Sequence, residues 1–265
     1  MFRKKAFILK LSKKSTKKLK KILIYGFHAI ENLILLKPHL IINIYLDKES
    51  ISSRNIRIRN LLEELKIKFI HTEKKHLDKI SGTSKHQGFV AEISLPEIKN
   101  HNEFVTDIES NDWTLVLILD SINDPRNLGA CIRSAYAFGV DAVVINTNAS
   151  SPINDLVIKS SVGSFFSLNV YQVVNLPRSI DVLKKSDFWV AALDVNSENE
   201  INLHKFHKKT AIIMGSEEKG VRKLIKEKCD HLLKIPMQSN IESLNVSVAT
   251  AISLFEVNRQ KNLIN

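Results

Sequence analysis

WTLVLILD, Trp113 to Asp120, is an unbroken apolar run that ends in an acid. A strand with one wet face alternates apolar and polar residues, whereas a strand covered on both faces need not. The run therefore reads as a buried parallel strand. Working outward, DAVVIN (141–146), LNVYQVV (168–174), FWVAALD (188–194), AIIMG (211–215) and HLLKIPM (231–237) are further strand candidates, and helical patterns fall between most of them. Strand–helix alternation of this kind argues a mainly parallel sheet with helices on both faces. Ligands of such sheets bind outside the carboxyl ends of the strands. The loops after these runs are where function is to be sought.

The first part of the chain is smaller. ILIYG, LIINIYLD, IKFIH and HQGFVAEI read as strands, HAIENLILL as a helix stopped by Pro38, and IRNLLEEL as a second helix. Residues 22–94 thus form a small α/β unit. Residues 95–112 are polar, lack periodicity and carry a Pro, so they read as a linker to a larger unit at 113–265.

The net charge of +11 is unevenly placed: residues 1–21 hold ten Lys or Arg and no acid, which leaves +1 for the rest. This basic tail is read either as solvated and disordered or as a contact for nucleic acid, since clustered Lys releases counterions from phosphate. Its apolar run is too short for a signal peptide. No stretch reaches the ~18 consecutive apolar residues of a membrane helix. Two cysteines, Cys131 and Cys229, are too few for a disulfide framework, which suggests a reducing, cytoplasmic setting. Cys131 sits in an apolar helical pattern and reads as a small core residue.

Three strand-end loops stand out. After VLILD comes SINDPRNLGACIRSAYAFG, where Asp124 and Pro125 suit a helix start and Arg133 follows in an otherwise apolar helix. After AIIMG comes GSEEKG, Gly215 to Gly220, two glycines bracketing two acids in a tight turn. After KIPM comes SNIESLNVSVATAISLFE, with Ser243 and Asn245 at the mouth of a helix. Leu244, Val248, Ala251 and Phe255 recur at spacings of four, three and four, which predicts the buried face of that helix, with Ser243 a candidate cap. Neither a Rossmann glycine fingerprint nor a Walker A sequence is present. His204 and His207, in HKFH, lack a third ligand nearby, so no metal is expected. Lys85 and His86, beside Gly88, are read either as phosphate contacts or as solvated loop residues.

Taken together, DPRNLGACIRSA, GSEEKG and IPM…SLNVSVATAISLFE resemble the three motifs of the SpoU/TrmH RNA ribose 2′-O-methyltransferases, in order and spacing, across residues 113–260. SVGS at Ser161–Ser164 is similar to a weaker family feature, with Ser164 where the family has Ala. YGFHAIENLI and HQGFVAEI resemble the substrate-binding domain of the branch that methylates guanosine in large-subunit rRNA. The resemblance implies a trefoil-knotted α/β domain, S-adenosylmethionine as cofactor, a homodimer, and ribosomal RNA or tRNA as partner, with neither membrane nor metal; the helix face from Leu244 onward is then expected to be core and a dimer contact too. It places the cofactor on Gly215, Ile235 and Leu244, with Met214, Ser216, Pro236 and Met237 beside them. It makes Arg133 the catalytic candidate, with Asn127, Glu217, Ser243 and Asn245 around it. Ser239 stands where the family often has Gly, so the loop there is expected to differ. A homologue that keeps the RNA contact and has lost catalysis is the other reading.

Overall fold

A computed structural model describes residues 21–50, 52–96, 98–148, 150–238 and 242–264, without the side chains of 262–264. The tail before Lys21 and the Ser239 position lie outside the described residues.

The first unit runs β1 (Lys21–Tyr25), α1 (Phe27–Leu36), β2 (Ile41–Asp47), α2 (Ser53–Glu64), β3 (Ile70–Thr72), α3 (Lys74–Ser81) and β4 (Phe89–Ser94). Its sheet has the order β1-β4-β2-β3, with β4 antiparallel to both neighbours and β3 parallel to β2. The short helix α3 was not apparent in the sequence, where only Leu77 marks a buried side. His86 is buried. Its Nδ1 accepts from the Gly88 amide at 3.0 Å and its Nε2 lies 3.2 Å from Asp78, so it shapes this loop and is not the phosphate contact expected of it.

Residues 95–112 contain a helix, α4 (His101–Ser110), which corrects the reading of that stretch as irregular. A reciprocal capping box between Asn100 and Glu103 starts it. Phe104 and Ile108 pack it against Trp113 and Tyr171. Two apolar positions one turn apart are too few to raise a periodic signal.

The second unit continues with β5 (Leu115–Leu119), α5 (Pro125–Ala137), β6 (Ala142–Asn146), α6 (Asp155–Ser160), β7 (Asn169–Val173), α7 (Leu176–Lys185), β8 (Trp189–Leu193), β9 (Thr210–Met214), α8 (Lys223–Lys226), β10 (His231–Leu233) and α9 (Val246–Ile264). All neighbours in the sheet are parallel, in the order β10-β8-β9-β5-β6-β7. The expected strands are all present. Alternate residues face opposite layers: Leu115, Leu117 and Leu119 pack with Leu128, Ile132 and Leu254, while Val116 and Ile118 pack with Phe104, Leu176 and Ile180. Each fully buried side chain of this size contributes ~1.5–3 kcal/mol. Cys131 is buried as expected, and burial pushes its thiol up to about 11.

The two units share a core. Ile22, Ile24, Phe27 and Ile30 belong to the same apolar cluster as Val157, Phe165 and Phe166. At the seam, Gly163 has φ +83, and a Cβ there would stand 2.8 Å from the Ala29 Cα. The Lys159 ammonium lies 5.0 Å from the Tyr25 ring centroid.

The buried face of α9 differs from the expected one. Val246, Thr250, Leu254 and Val257 are buried, whereas Val248 and Phe255 are exposed and Leu244 and Ala251 are half-buried. Both sets recur at helical spacing, so periodicity alone could not choose between them.

Candidate active site

β5 and β9 are neighbours at the centre of the sheet; from β5 the chain runs outward to β6 and β7, and from β9 it runs the other way, past β8 to β10. A parallel sheet opens a crevice beyond its carboxyl ends at such a reversal. The three unusual loops converge there.

Asp124 caps α5, accepting from the Arg126 amide at 2.8 Å, and Pro125 fills the first helical position. One turn in, the Asn127 Nδ2 donates to Glu217 Oε1 at 2.6 Å. Asn245 Nδ2 donates to the same oxygen at 2.9 Å and to Asn127 Oδ1 at 3.2 Å. Three expected site residues from three loops, up to 118 positions apart, therefore form one hydrogen-bonded cluster. Among the described residues, Glu217 Oε2 has no partner.

Asn245 is also the cap of α9. Its Oδ1 accepts from the Ser247 amide at 2.9 Å and from the Ser247 hydroxyl at 2.6 Å, and its carbonyl accepts from the Ala249 amide. The expected cap, Ser243, is exposed and lies on a cavity wall instead. Asn offers a carbonyl oxygen for capping and two amide N–H groups for Glu217 and Asn127, whereas a Ser hydroxyl has a single O–H to donate.

That cavity, of about 330 Å³, lies beyond β8, β9 and β10. Of the residues assigned to the cofactor by resemblance, Met214, Gly215, Ser216, Ile235, Met237 and Leu244 line it. Pro236 does not; it is exposed. Gly215 passes so close to the return of its own turn that a Cβ would come within 2.0 Å of the Gly220 carbonyl carbon. The Ser216 and Gly220 amides exchange hydrogen bonds across this turn at 3.2 and 2.9 Å.

Sequence reasoning missed the wall contributed by β8. Asp194 ends that strand and pairs with Lys226 at 2.6 Å. Burial pushes the Asp194 carboxyl up, but Lys226 and the Asn196 amide outweigh it and hold the group below the usual carboxylate range. The available signal was FWVAALD, a second apolar run ending in an acid. It also missed Asp120, fully buried at the end of β5, which accepts from the Arg222 Nε at 2.8 Å and so ties β5 to the loop after Gly220.

Arg133 is not in the cluster. It lies on the exposed side of α5, in a groove shared with Ser134, Ser247, Val248 and Ile252, and has no hydrogen bond or ion pair among the described residues. Within one chain the structure does not bring it to Glu217.

A parallel α/β sheet whose strand-end loops enclose a cofactor-sized cavity, edged by an exposed carboxamide–carboxylate cluster, defines a class of enzyme that holds a small molecule inside and meets a larger substrate at the rim. The comparisons narrow this. Residues 114–255 match the SpoU rRNA Methylase family and residues 23–99 match the RNA 2′-O ribose methyltransferase substrate binding family. The chain belongs to the SpoU rRNA methylase family. It is 34% identical over 238 residues to the 23S rRNA (guanosine-2′-O-)-methyltransferase of Vibrio parahaemolyticus, covering 90% of this chain and 96% of that protein. It is 34% identical over 241 residues to the protein of the same name in Photobacterium profundum, covering 91% and 98%. By structure it is similar to the SpoU methyltransferase AviRb of Streptomyces viridochromogenes in complex with AdoMet, with a TM-score of 0.75, 22% identity, and coverage of 92% and 91%.

Proposed function

We propose that this chain transfers a methyl group from S-adenosylmethionine to the ribose 2′-hydroxyl of a guanosine in large-subunit ribosomal RNA. The observation that carries the reading is the Asn127–Glu217–Asn245 cluster at the rim of the cavity, in a chain of this family.

The cavity fits the cofactor. Its volume is at the lower end of the ~300–1,000 Å³ typical for small ligands, and Ile235, Met237 and Leu244 give an apolar slot for an adenine ring. Gly215 lets its turn fold tightly against the Gly220–Val221 backbone, which fixes this wall of the cavity. Glu217 and Glu242 on its wall offer negative charge to a sulfonium and an ammonium, while Asp194 is taken by Lys226. When bound, S-adenosylmethionine supplies an electrophilic methyl.

The chain's own residues then have three tasks. Asn127 and Asn245 orient Glu217 by filling Oε1, which leaves Oε2 to accept the 2′-hydroxyl proton. A positioned base of this kind contributes ~10²–10⁴-fold. Arg133, which one chain leaves outside the cluster, reaches the site only from the second copy, where it clamps a substrate phosphate and stabilises the emerging oxyanion; a guanidinium stays protonated and does not serve as the base. Ser243 lines the route between cavity and ribose. Arg133→Lys is expected to lower turnover while RNA binding persists, because an ammonium cannot make the bidentate contact. Near-full turnover in that variant would remove the clamp from the account.

In this reading residues 22–94 dock the RNA, residues 113–265 carry the chemistry, and the loops after β9 and β10 form the knot. A second copy covers the exposed apolar face of α5 and α9, where Tyr136, Val248, Ile252 and Phe255 stand exposed around Arg133. The reading places the protein in the cytoplasm, with the ribosome. The test is to map 2′-O-methyl groups in RNA from cells lacking the protein. Loss of one guanosine methyl in large-subunit rRNA is expected; loss of a tRNA methyl instead would move the substrate.

A further inference from the structure

The amino ends of the strands, opposite the cavity, carry a second feature that the methyl-transfer reading does not use. Trp189 opens β8 and is 44% exposed. His207 lies flat on it, with ring centroids 4.0 Å apart and planes 7° apart. His231, which opens β10, is near-parallel to the same indole at 5.6 Å, and His204 meets His231 at 4.5 Å. This is the HKFH motif in three dimensions. The histidines are not grouped to hold a metal ion among the described residues.

The stack is held in place. The Trp189 amide donates to the Lys209 carbonyl at 3.0 Å, the Thr210 hydroxyl donates to the His207 carbonyl at 2.7 Å, and Gln260 binds the backbone on either side of Lys205. His207 itself is exposed, so one end of the stack is open to solvent. Around it the charge is mainly positive. Lys185, Lys205 and Lys208 are exposed and have no ion pair among the described residues, while the acid Asp230 is already taken by Lys184 at 2.7 Å. Asp187, exposed at the turn before β8, is the opposing charge.

A preformed aromatic stack with an open end, ringed by unpaired lysines, matches the chemistry of single-stranded RNA. Bases stack on aromatic side chains, His included, and phosphates meet the cations. We infer that this face is a second RNA site, where an unpaired base of the substrate stacks on His207 while Lys205 and Lys208 hold the flanking phosphates. The site stands roughly 15 Å from the methyl-donor cavity, about the length of β8 at ~3.3 Å per residue. It rests on the reading of the substrate as RNA and adds to it a contact with an unpaired segment.

The chain has two tryptophans, so Trp113→Phe leaves Trp189 as the reporter. A single-stranded twelve-nucleotide oligoadenylate is expected to quench Trp189 emission saturably, with an affinity that falls as salt rises. Duplex RNA of the same length is expected to quench far less. The Lys205→Glu/Lys208→Glu double variant should bind the oligonucleotide about tenfold more weakly, and His207→Ala likewise. Melting temperature and S-adenosylmethionine affinity, read by calorimetry, should be unchanged in both variants. If Trp113→Phe does not fold, the two-tryptophan protein and its His207→Ala variant give the same comparison. Three results overturn the inference: no quenching by single strands, equal quenching by duplex, or unaltered affinity in the double variant. Quenching by polyglutamate but not by RNA would assign the face to an acidic protein and also overturn it. Failure of the wild-type protein to bind S-adenosylmethionine would instead count against the methyl-transfer reading, so the two failures are distinguishable.

Discussion

Asn245 accepts from Ser247 through Oδ1 and donates to Glu217 and Asn127 through Nδ2. The two halves of its amide can be separated by mutation. Asn245→Asp keeps the capping oxygen and loses both donors, so helix stability should change by less than ~1 kcal/mol while turnover falls about 10²-fold. Thermal melting and single-turnover methyl transfer read the two effects; unchanged turnover would take Asn245 out of the proposed machinery. Gly215 gives a second residue-scale prediction. A methyl there would meet backbone within 2.0 Å, so the turn that lines the cavity must shift. Gly215→Ala should abolish measurable cofactor binding by calorimetry and cost ~1–3 kcal/mol in stability, as overpacking does. Binding at wild-type affinity would contradict the assignment of the cavity. The residue types of this cluster were visible in the sequence, but their meeting was not. Their separations of 28 to 118 positions carry no spacing signal, and only resemblance joined them. The Asp194–Lys226 pair was missed because the loop after β8 carries no motif.

At the scale of elements, the strands of the large sheet were legible because burial on both faces leaves an unbroken apolar run. Helix α4 was not, because its stability comes from the Asn100–Glu103 cap and from only two apolar anchors, Phe104 and Ile108. The seam between the two units was also hidden. It depends on Gly163, whose positive φ and close approach to Ala29 become meaningful only once α1 is in place. Gly163→Val puts a branched side chain against backbone in a left-handed conformation. It should cost more than ~1 kcal/mol and make the 95–112 segment more sensitive to trypsin, with cofactor affinity retained. A variant as resistant as the wild type would show that the seam does not hold the units together.

For the molecule as a whole, the inverted face of α9 is the informative departure. A single chain buries Val246, Thr250, Leu254 and Val257 and leaves Val248, Ile252 and Phe255 exposed beside Arg133. Exposed apolar area of this kind marks an interaction surface, and the proposed homodimer would cover it. Ile252→Glu should give a monomer in analytical ultracentrifugation at concentrations where the wild type sediments as a dimer; a monomeric wild type would contradict the proposal. In that proposal Val248 and Phe255 of the sequence pattern face the partner, while Leu244 lines the cavity and Ala251 is half-buried. The most direct test of the account is methyl transfer itself. Purified protein is incubated with methyl-labelled S-adenosylmethionine and unmodified large-subunit rRNA, and the labelled nucleotide is identified after digestion. The account predicts label on the ribose 2′-oxygen of one guanosine. Label on a base, or no label in protein that binds the cofactor, would contradict it.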